Sequence, residues 1–201
     1  MLKPVEFRFD HVEHEYSVGG RVIPNVTGML QKVGPPGSAK PWVDPTYYTD
    51  AVRERGRAVH QLTAEYDLGA LDVSRLVSKY RGYVLAHVAA MQALKPTWVA
   101  IEEPEVHPKY LFGTRPDRVG RLYRVLSIVD EKSGLKDKAH PIQTALQAVC
   151  ISWRYNLAPE AMPRYALYVS ASGRFRLVKH DRRSDIDEAY RIINVCCRKA
   201  A

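Results

Sequence analysis

The sequence predicts an α+β fold, a mixed central sheet flanked by helices with an N-terminal β-hairpin. Three observations predict it. Apolar residues recur at three- and four-residue steps over 53–67 and 71–94, the period of a helix face. Short apolar or alternating runs bounded by Gly, Pro and Ser occupy 98–103, 122–130, 165–169 and 175–178, as strands do. Their order is hairpin, α, α, βββ, α, ββ, α, which suits one sheet covered by helices. With 201 residues the chain reads as a single domain, with 1–45 a hairpin and loop appendage and 46–201 the core.

Phe7 to Phe9 and His14 to Val18 are the first strand candidates, Gly19-Gly20 is a turn, and Arg21 to Ile23 returns. A short helix starts near Pro24 to Leu30, and Gly34-Pro35-Pro36-Gly37 is a loop. Asp50 is an N-cap candidate for the helix that Gly69 stops; Ser74 is the N-cap candidate for the next, which Pro96 ends. A strand over 98–103 follows. A second runs from Tyr110 through Asp117 to Val119, Gly120-Arg121 turns the chain, and a third covers 122–130. A helix starts at Pro141, a residue suited to the first helical turn, and runs to Trp153. Strands over 165–169 and 175–178 turn through Ser172-Gly173, and the last helix spans 184–197.

Hydrophobic residues at 46% and charged residues at 26% are ordinary for a globular domain and exclude collagen-like, disordered and disulfide-scaffold classes. Lys and Arg number 30 against 22 Asp and Glu, a net charge of +8, which directs attention to a polyanionic partner. The run from Tyr83 to Leu94 is too short for a membrane span of about 20 residues, and the N-terminus has no signal-peptide core. Three cysteines, two of them adjacent at 196 and 197, build neither a disulfide framework nor a zinc knuckle. A reducing, cytoplasmic setting is the expectation.

The chemistry concentrates in Asp130-Glu131-Lys132 at the end of an apolar strand. Alternation puts Asp130 and Lys132 on one face and Glu131 on the other. Asp117, on the preceding strand, comes alongside Asp130, and two carboxylates with one ammonium then converge. Hard oxygen ligands suit Mg²⁺ or Mn²⁺, and the lysine suits an attack on a phosphodiester, where negative charge must be offset. Glu103, with Glu102 and Glu105 nearby, is a candidate to join the metal shell. His60 flanks the buried face of its helix, with Gly56 one turn earlier leaving space beside it. Gln143, in the first turn of the later helix, is placed to reach Lys132.

In that order, helical Gly56-x-x-x-His60, then Glu103, Gly113 to Asp117, Asp130-x-Lys132 with Gly134, and helical Gln143, the chain resembles the PD-(D/E)xK nuclease superfamily. Within it the match is to the RecB-like and phage-type exonuclease branch. His14-x-Tyr16 followed by Gly20-Arg21-x-Ile23-Pro24-Asn25-Val26-Thr27 is similar to the opening segment of phage-type members. The resemblance covers residues 14–153. It implies a restriction-endonuclease-like αβββαβ core and a Mg²⁺- or Mn²⁺-dependent deoxyribonuclease with one or two ions, most naturally an exonuclease of phage or prophage recombination or replication. Asp117 and Asp130 would be central metal ligands, Glu103 and His60 would complete the shell, Lys132 would be the catalytic lysine and Gln143 its helical partner. DNA would be the substrate and a single-strand annealing or recombination protein a partner. Alternatives are an inactive nuclease-like binding protein and a structure-selective endonuclease.

Two departures from the family pattern stand out. Asp117 lies four residues after Gly113 instead of three, and Gln147 stands where a tyrosine is usual. Some relatives carry an iron–sulfur cluster on four cysteines; with three, none near the N-terminus, no cluster is expected. Among the basic residues, Arg53, Arg57, Arg115, Arg118 and Lys136 are the candidate DNA contacts, which would position a phosphate backbone without reading sequence. Arg174, Arg176, Lys179, Arg182 and Arg183 form a second basic cluster, and Trp42, Tyr47 and Tyr48 are candidate base-stacking residues.

Overall fold

A computed structural model describes residues 3–197. The first three strands, β1 (Arg8–Asp10), β2 (Glu15–Val18) and β3 (Arg21–Ile23), form an antiparallel sheet. Gly19 and Gly20 make its tight turn at φ of +56° and +77°, where a side chain would be strained. Helix α1 (Val26–Lys32) starts where the Asn25 side chain accepts a hydrogen bond from the Gly28 N–H at 2.8 Å, a satisfied N-cap. Then come α2 (Asp50–Asp67), capped by Thr49 and not by Asp50, and α3 (Arg81–Leu94).

The core sheet is built from β4 (Thr97–Ile101), β7 (Arg118–Leu122), β8 (Val125–Lys132), β9 (Arg164–Val169) and β10 (Phe175–His180), in the order β10-β9-β8-β7-β4. Strands β8 and β9 are parallel and the other neighbours antiparallel. The parallel pair needs a crossover, which α4 (Ala139–Ser152) supplies; α5 (Arg183–Cys196) closes the chain. A separate two-stranded sheet pairs β5 (Glu105–Val106) with β6 (Gly113–Thr114). The chain is therefore α+β with a mixed five-stranded sheet.

Alternation along β8 divides the interior. Ile128 faces a cluster with Leu146, Val149, Ile186 and Ile192 from α4 and α5. Val129 faces the other way, to Val59, Ala86 and Ala90 of α2 and α3. The same parity carries Asp130 and Lys132 to the α4 side and Glu131 to the α2–α3 side. Val26, Met29, Leu30 and Val33 share the α4 cluster, so α1 packs into the main core. No helix among the described residues is long and apolar enough to cross a membrane.

Four local expectations are corrected. The helix expected over 71–94 begins at Arg81, because Asp72 takes the Ser74 N–H at 3.0 Å and its hydroxyl at 2.6 Å and closes a short 3₁₀ turn instead. The single strand expected from Tyr110 to Val119 is broken at Pro116, which has no N–H to give a ladder, leaving β6 and β7 in different sheets. Gly120 does not turn the chain. It lies inside β7, where a Cβ would collide with the Thr97 carbonyl and Trp98. The turn is Tyr123-Arg124, both at positive φ (50° and 67°), as a two-residue hairpin requires. Pro141 is the third residue of α4, still within the first turn, where a missing N–H leaves no bond unmade.

Candidate metal centre

The site lies where β7 begins and β8 ends, beside the middle of α2. His60 Nδ1 is 3.1 Å from Asp117 Oδ1 and 3.6 Å from Glu102 Oε1. One ligand atom each from His60, Glu102 and Asp117 lies within 4.8 Å of the others. The Asp117 Oδ2 atom accepts the backbone N–H of Glu131 at 2.5 Å, which ties the start of β7 to the end of β8.

Of the neighbouring acids Glu102, Glu103 and Glu105, the one beside Asp117 is Glu102, and not the expected Glu103. A bulge between Trp98 and Ala100 shifts the register of β4, and Glu102 leaves the strand at φ +51°, so simple alternation fails there. The Glu102 N–H donates to the Asp117 carbonyl at 3.1 Å, locking the two together. Glu103 instead lines a small hollow with Glu105, Arg154 and Tyr155. Glu102 Oε2 receives Arg115 Nε at 3.1 Å, while its Oε1 is buried with no hydrogen-bond partner among the described residues. A buried, underused carboxylate oxygen next to a second carboxylate and an imidazole could hold a metal ion.

Asp130 stands next to this trio, 1% exposed, and is held differently. Gln143 Nε2 and Gln147 Nε2 both donate to its Oδ1, at 3.3 and 3.0 Å, and the Lys132 ammonium pairs with its Oδ2. Lys132 Nζ also donates to Gln143 Oε1 at 3.1 Å. Asp130, Lys132 and Gln143 are thus brought together as a unit. Gln147 proves to be the second amide on Asp130. A helical glutamine carries no signal of its own until the strand it faces is known.

Electrostatics follow from burial and these partners. Burial disfavours charge on His60, but the Asp117 and Glu102 carboxylates outweigh it and hold the imidazole pKa well above its usual value. Burial would raise the Asp117 carboxyl; His60, Lys132 and Arg118 override that and lower it to about 2. Asp130 moves the other way. Its burial dominates, Lys132 opposes, and the Asp117 charge adds to the rise.

Behind the site, on the α2–α3 side of the sheet, lies a second buried network. His87 is 0% exposed, with Nδ1 at 2.7 Å from Glu131 Oε2 and Nε2 at 3.0 Å from Asp67 Oδ1. Both ring nitrogens face carboxylates, so both must donate and the ring is an imidazolium. Arg118 Nε donates to Asp67 Oδ2 at 2.5 Å, its Nη1 to the Asp117 carbonyl at 2.8 Å and its Nη2 to Thr63 Oγ1 at 3.3 Å. Two cations and two carboxylates balance. Arg118 is only 1% exposed; its expected role as a DNA contact is corrected to that of a buried strut.

An open cleft of about 640 Å³ leads to the centre. His60, Glu102, Asp117, Gln143 and Gln147 line it, with Arg53, Arg57 and Arg115 on its walls. Lys136 lies elsewhere, in a second cleft beyond the first turn of α4. The β1–β3 sheet contributes Phe9, His14 and Tyr16 to the first cleft, and the Arg115 guanidinium sits 5.5 Å over the Phe9 ring. Gly113 is required here, since a Cβ would collide with the Tyr16 ring.

No protein-family model matches this chain, and no curated protein matches it.

Proposed function

We propose that the protein is a divalent-metal-dependent nuclease that hydrolyses phosphodiester bonds of DNA, with a PD-(D/E)xK core, and acts as an exonuclease. The observation that carries this reading is the convergence of two pairs at the end of one sheet, Asp117 with Glu102 on the floor of an arginine-walled cleft and buried Asp130 with Lys132 beside them. The order of helix, three core strands, helix and strand through α2–α3, β4, β7, β8, α4 and β9 supports it.

His60, Glu102 and Asp117 would hold the ion, with Asp130 adjoining. An ion held by these residues would supply Lewis-acid charge and make a nearby water more acidic. The chain's own residues do the rest. Arg53, Arg57 and Arg115 offset backbone charge along the cleft and hold the strand in register. Lys132, fixed by Asp130 and Gln143, presents its ammonium where negative charge grows on the attacked phosphate. Gln143 and Gln147 hold the Asp130 carboxylate in one orientation.

The test is digestion of linear and circular duplex DNA with Mg²⁺ or Mn²⁺ by wild type, Asp130→Ala and Lys132→Ala. Linear DNA is degraded, circles survive, and both variants are inactive. Equal digestion by all three would remove the assignment, and cut circles would move it to an endonuclease. One observation favours a second reading, DNA binding without hydrolysis: a cationic His60 already spans Asp117 and Glu102. Calorimetric titration with Mn²⁺ separates the two, since the binding-only protein takes up no ion at these residues.

A further inference from the structure

A second cleft, of about 820 Å³, lies across the first turn of α4 from the metal centre. Gln143 and Gln147 face the metal side, while Pro141 and Ile142 face this one. The two clefts are therefore separated by roughly one helix diameter, about 10 Å.

Its rim is cationic. Lys136 and Lys138 come from the β8–α4 loop, and Lys179 and Arg182 from the β10–α5 junction. All four are exposed, and among the described residues Lys136, Lys138 and Arg182 have no ion pair within 4.0 Å. The nearby acids are engaged. Asp137 accepts the Ala139 N–H at 2.7 Å, Asp185 receives Arg164 Nη2 at 3.1 Å, and Asp181 lies 4.0 Å from Lys179. One wall is apolar and aromatic, with Trp42 and Val178.

His180 lines the same cleft and is 6% exposed. Its Nδ1 is 3.0 Å from Thr144 Oγ1. Thr144 Oγ1 itself donates to the Pro141 carbonyl at 3.0 Å, and the same carbonyl accepts Arg164 Nη1 at 2.8 Å. His180 Nε2 is buried with no partner among the described residues. Three exposed cations with no ion pair among the described residues, set beside an aromatic wall, suit an anionic ligand from outside the chain.

We propose that this cleft is a phosphate subsite for the DNA strand, with Lys136, Lys138 and Arg182 on the phosphate and the Trp42 wall against the neighbouring base. It rests on the nucleic-acid reading above and extends it to a strand that crosses the first turn of α4. It is tested by fluorescence anisotropy with a labelled single-stranded oligodeoxynucleotide in EDTA, which keeps the metal centre out of the measurement. Lys138→Ala/Arg182→Ala binds about tenfold more weakly than wild type. Its log–log salt slope is shallower by about 1.4, at about 0.7 for each single-strand phosphate left without its cation. The Trp42 indole N–H resonance shifts with oligonucleotide in wild type and not in the double variant.

Equal affinity and equal slope in the two proteins overturn the proposal. So does a Trp42 shift produced by inorganic phosphate with no loss of oligonucleotide affinity in the variant, which marks a free-anion site. Failure of the nuclease reading shows separately, as absence of Mn²⁺-dependent digestion by a wild-type protein whose binding still depends on Lys138 and Arg182.

Discussion

Arg118 and Asp67, 51 residues apart in sequence, join side-on behind the acidic cluster, guanidinium Nε to carboxylate at 2.5 Å. The same arginine reaches forward to the Asp117 carbonyl. Helix α2 therefore braces the centre twice, through His60 on Asp117 and, two turns later, through Asp67 on the residue following Asp117. The two interactions set the distance between α2 and the start of β7.

Removing one member of that buried set leaves an uncompensated charge. Arg118→Met should cost about 3–5 kcal/mol, read as a lower urea midpoint at unchanged m-value. Asp67→Asn at pH 7 should cost less than the arginine change, since the amide still fills the space and accepts one hydrogen bond.

His87 makes stability depend on alkaline pH. Burial lowers the pKa of the ring, but Glu131 and Asp67 more than compensate and raise it to about 9. The folded state thus holds a proton that the unfolded chain releases near 6.5. Its stabilisation is complete below pH 6.5 and is lost as pH rises through about 9, an effect of order 3 kcal/mol. Urea melts from pH 6 to 10 should show this decline, and His87→Gln should flatten it.

The acid side is governed by three other histidines. Burial, then nearby cations, lowers His180 to about 4 and His140 to about 3, and burial lowers His107 to about 4. These rings stay neutral in the fold while the unfolded chain takes up protons below 6.5. Their stabilisation is present above pH 6.5 and is lost as pH falls through 4. Thermal midpoints should fall between pH 6.5 and 4, and His180→Asn should reduce the drop.

Gln147 orients Asp130 without lining up to touch an ion itself. Gln147→Leu should lower Mn²⁺-dependent digestion by about 10–100-fold, with the far-UV spectrum unchanged. Gln147→Glu should be worse still, because it sets a second carboxylate against Asp130.

The hairpin between β7 and β8 offers a stability test in both directions. Gly120→Ala forces a methyl into the Thr97 carbonyl and Trp98 and should cost about 1–3 kcal/mol. Arg124→Gly relieves a non-glycine residue held at φ +67° and should stabilise by up to about 1 kcal/mol. Chemical denaturation of both variants decides the signs.

Much of this protein was legible residue by residue. Apolar patterning placed α2, β8 and β9, and Pro141 placed α4, to within a few positions, because such signals are local. Parity along β8 put Asp130 and Lys132 on one face and Glu131 on the other, since side chains alternate along any strand. What tertiary structure alone decided were the exceptions to local rules and the long-range pairs. Glu102, and not Glu103, meets Asp117 because a bulge in β4 and the left-handed backbone at Glu102 decide which of three neighbouring acids faces it. Arg118 became a buried strut and not a surface cation because Asp67 and Thr63, on a helix far away in sequence, were there to receive it. A residue's charge is written in the chain, but whether that charge meets water, a carboxylate or an ion depends on which distant segment folds against it.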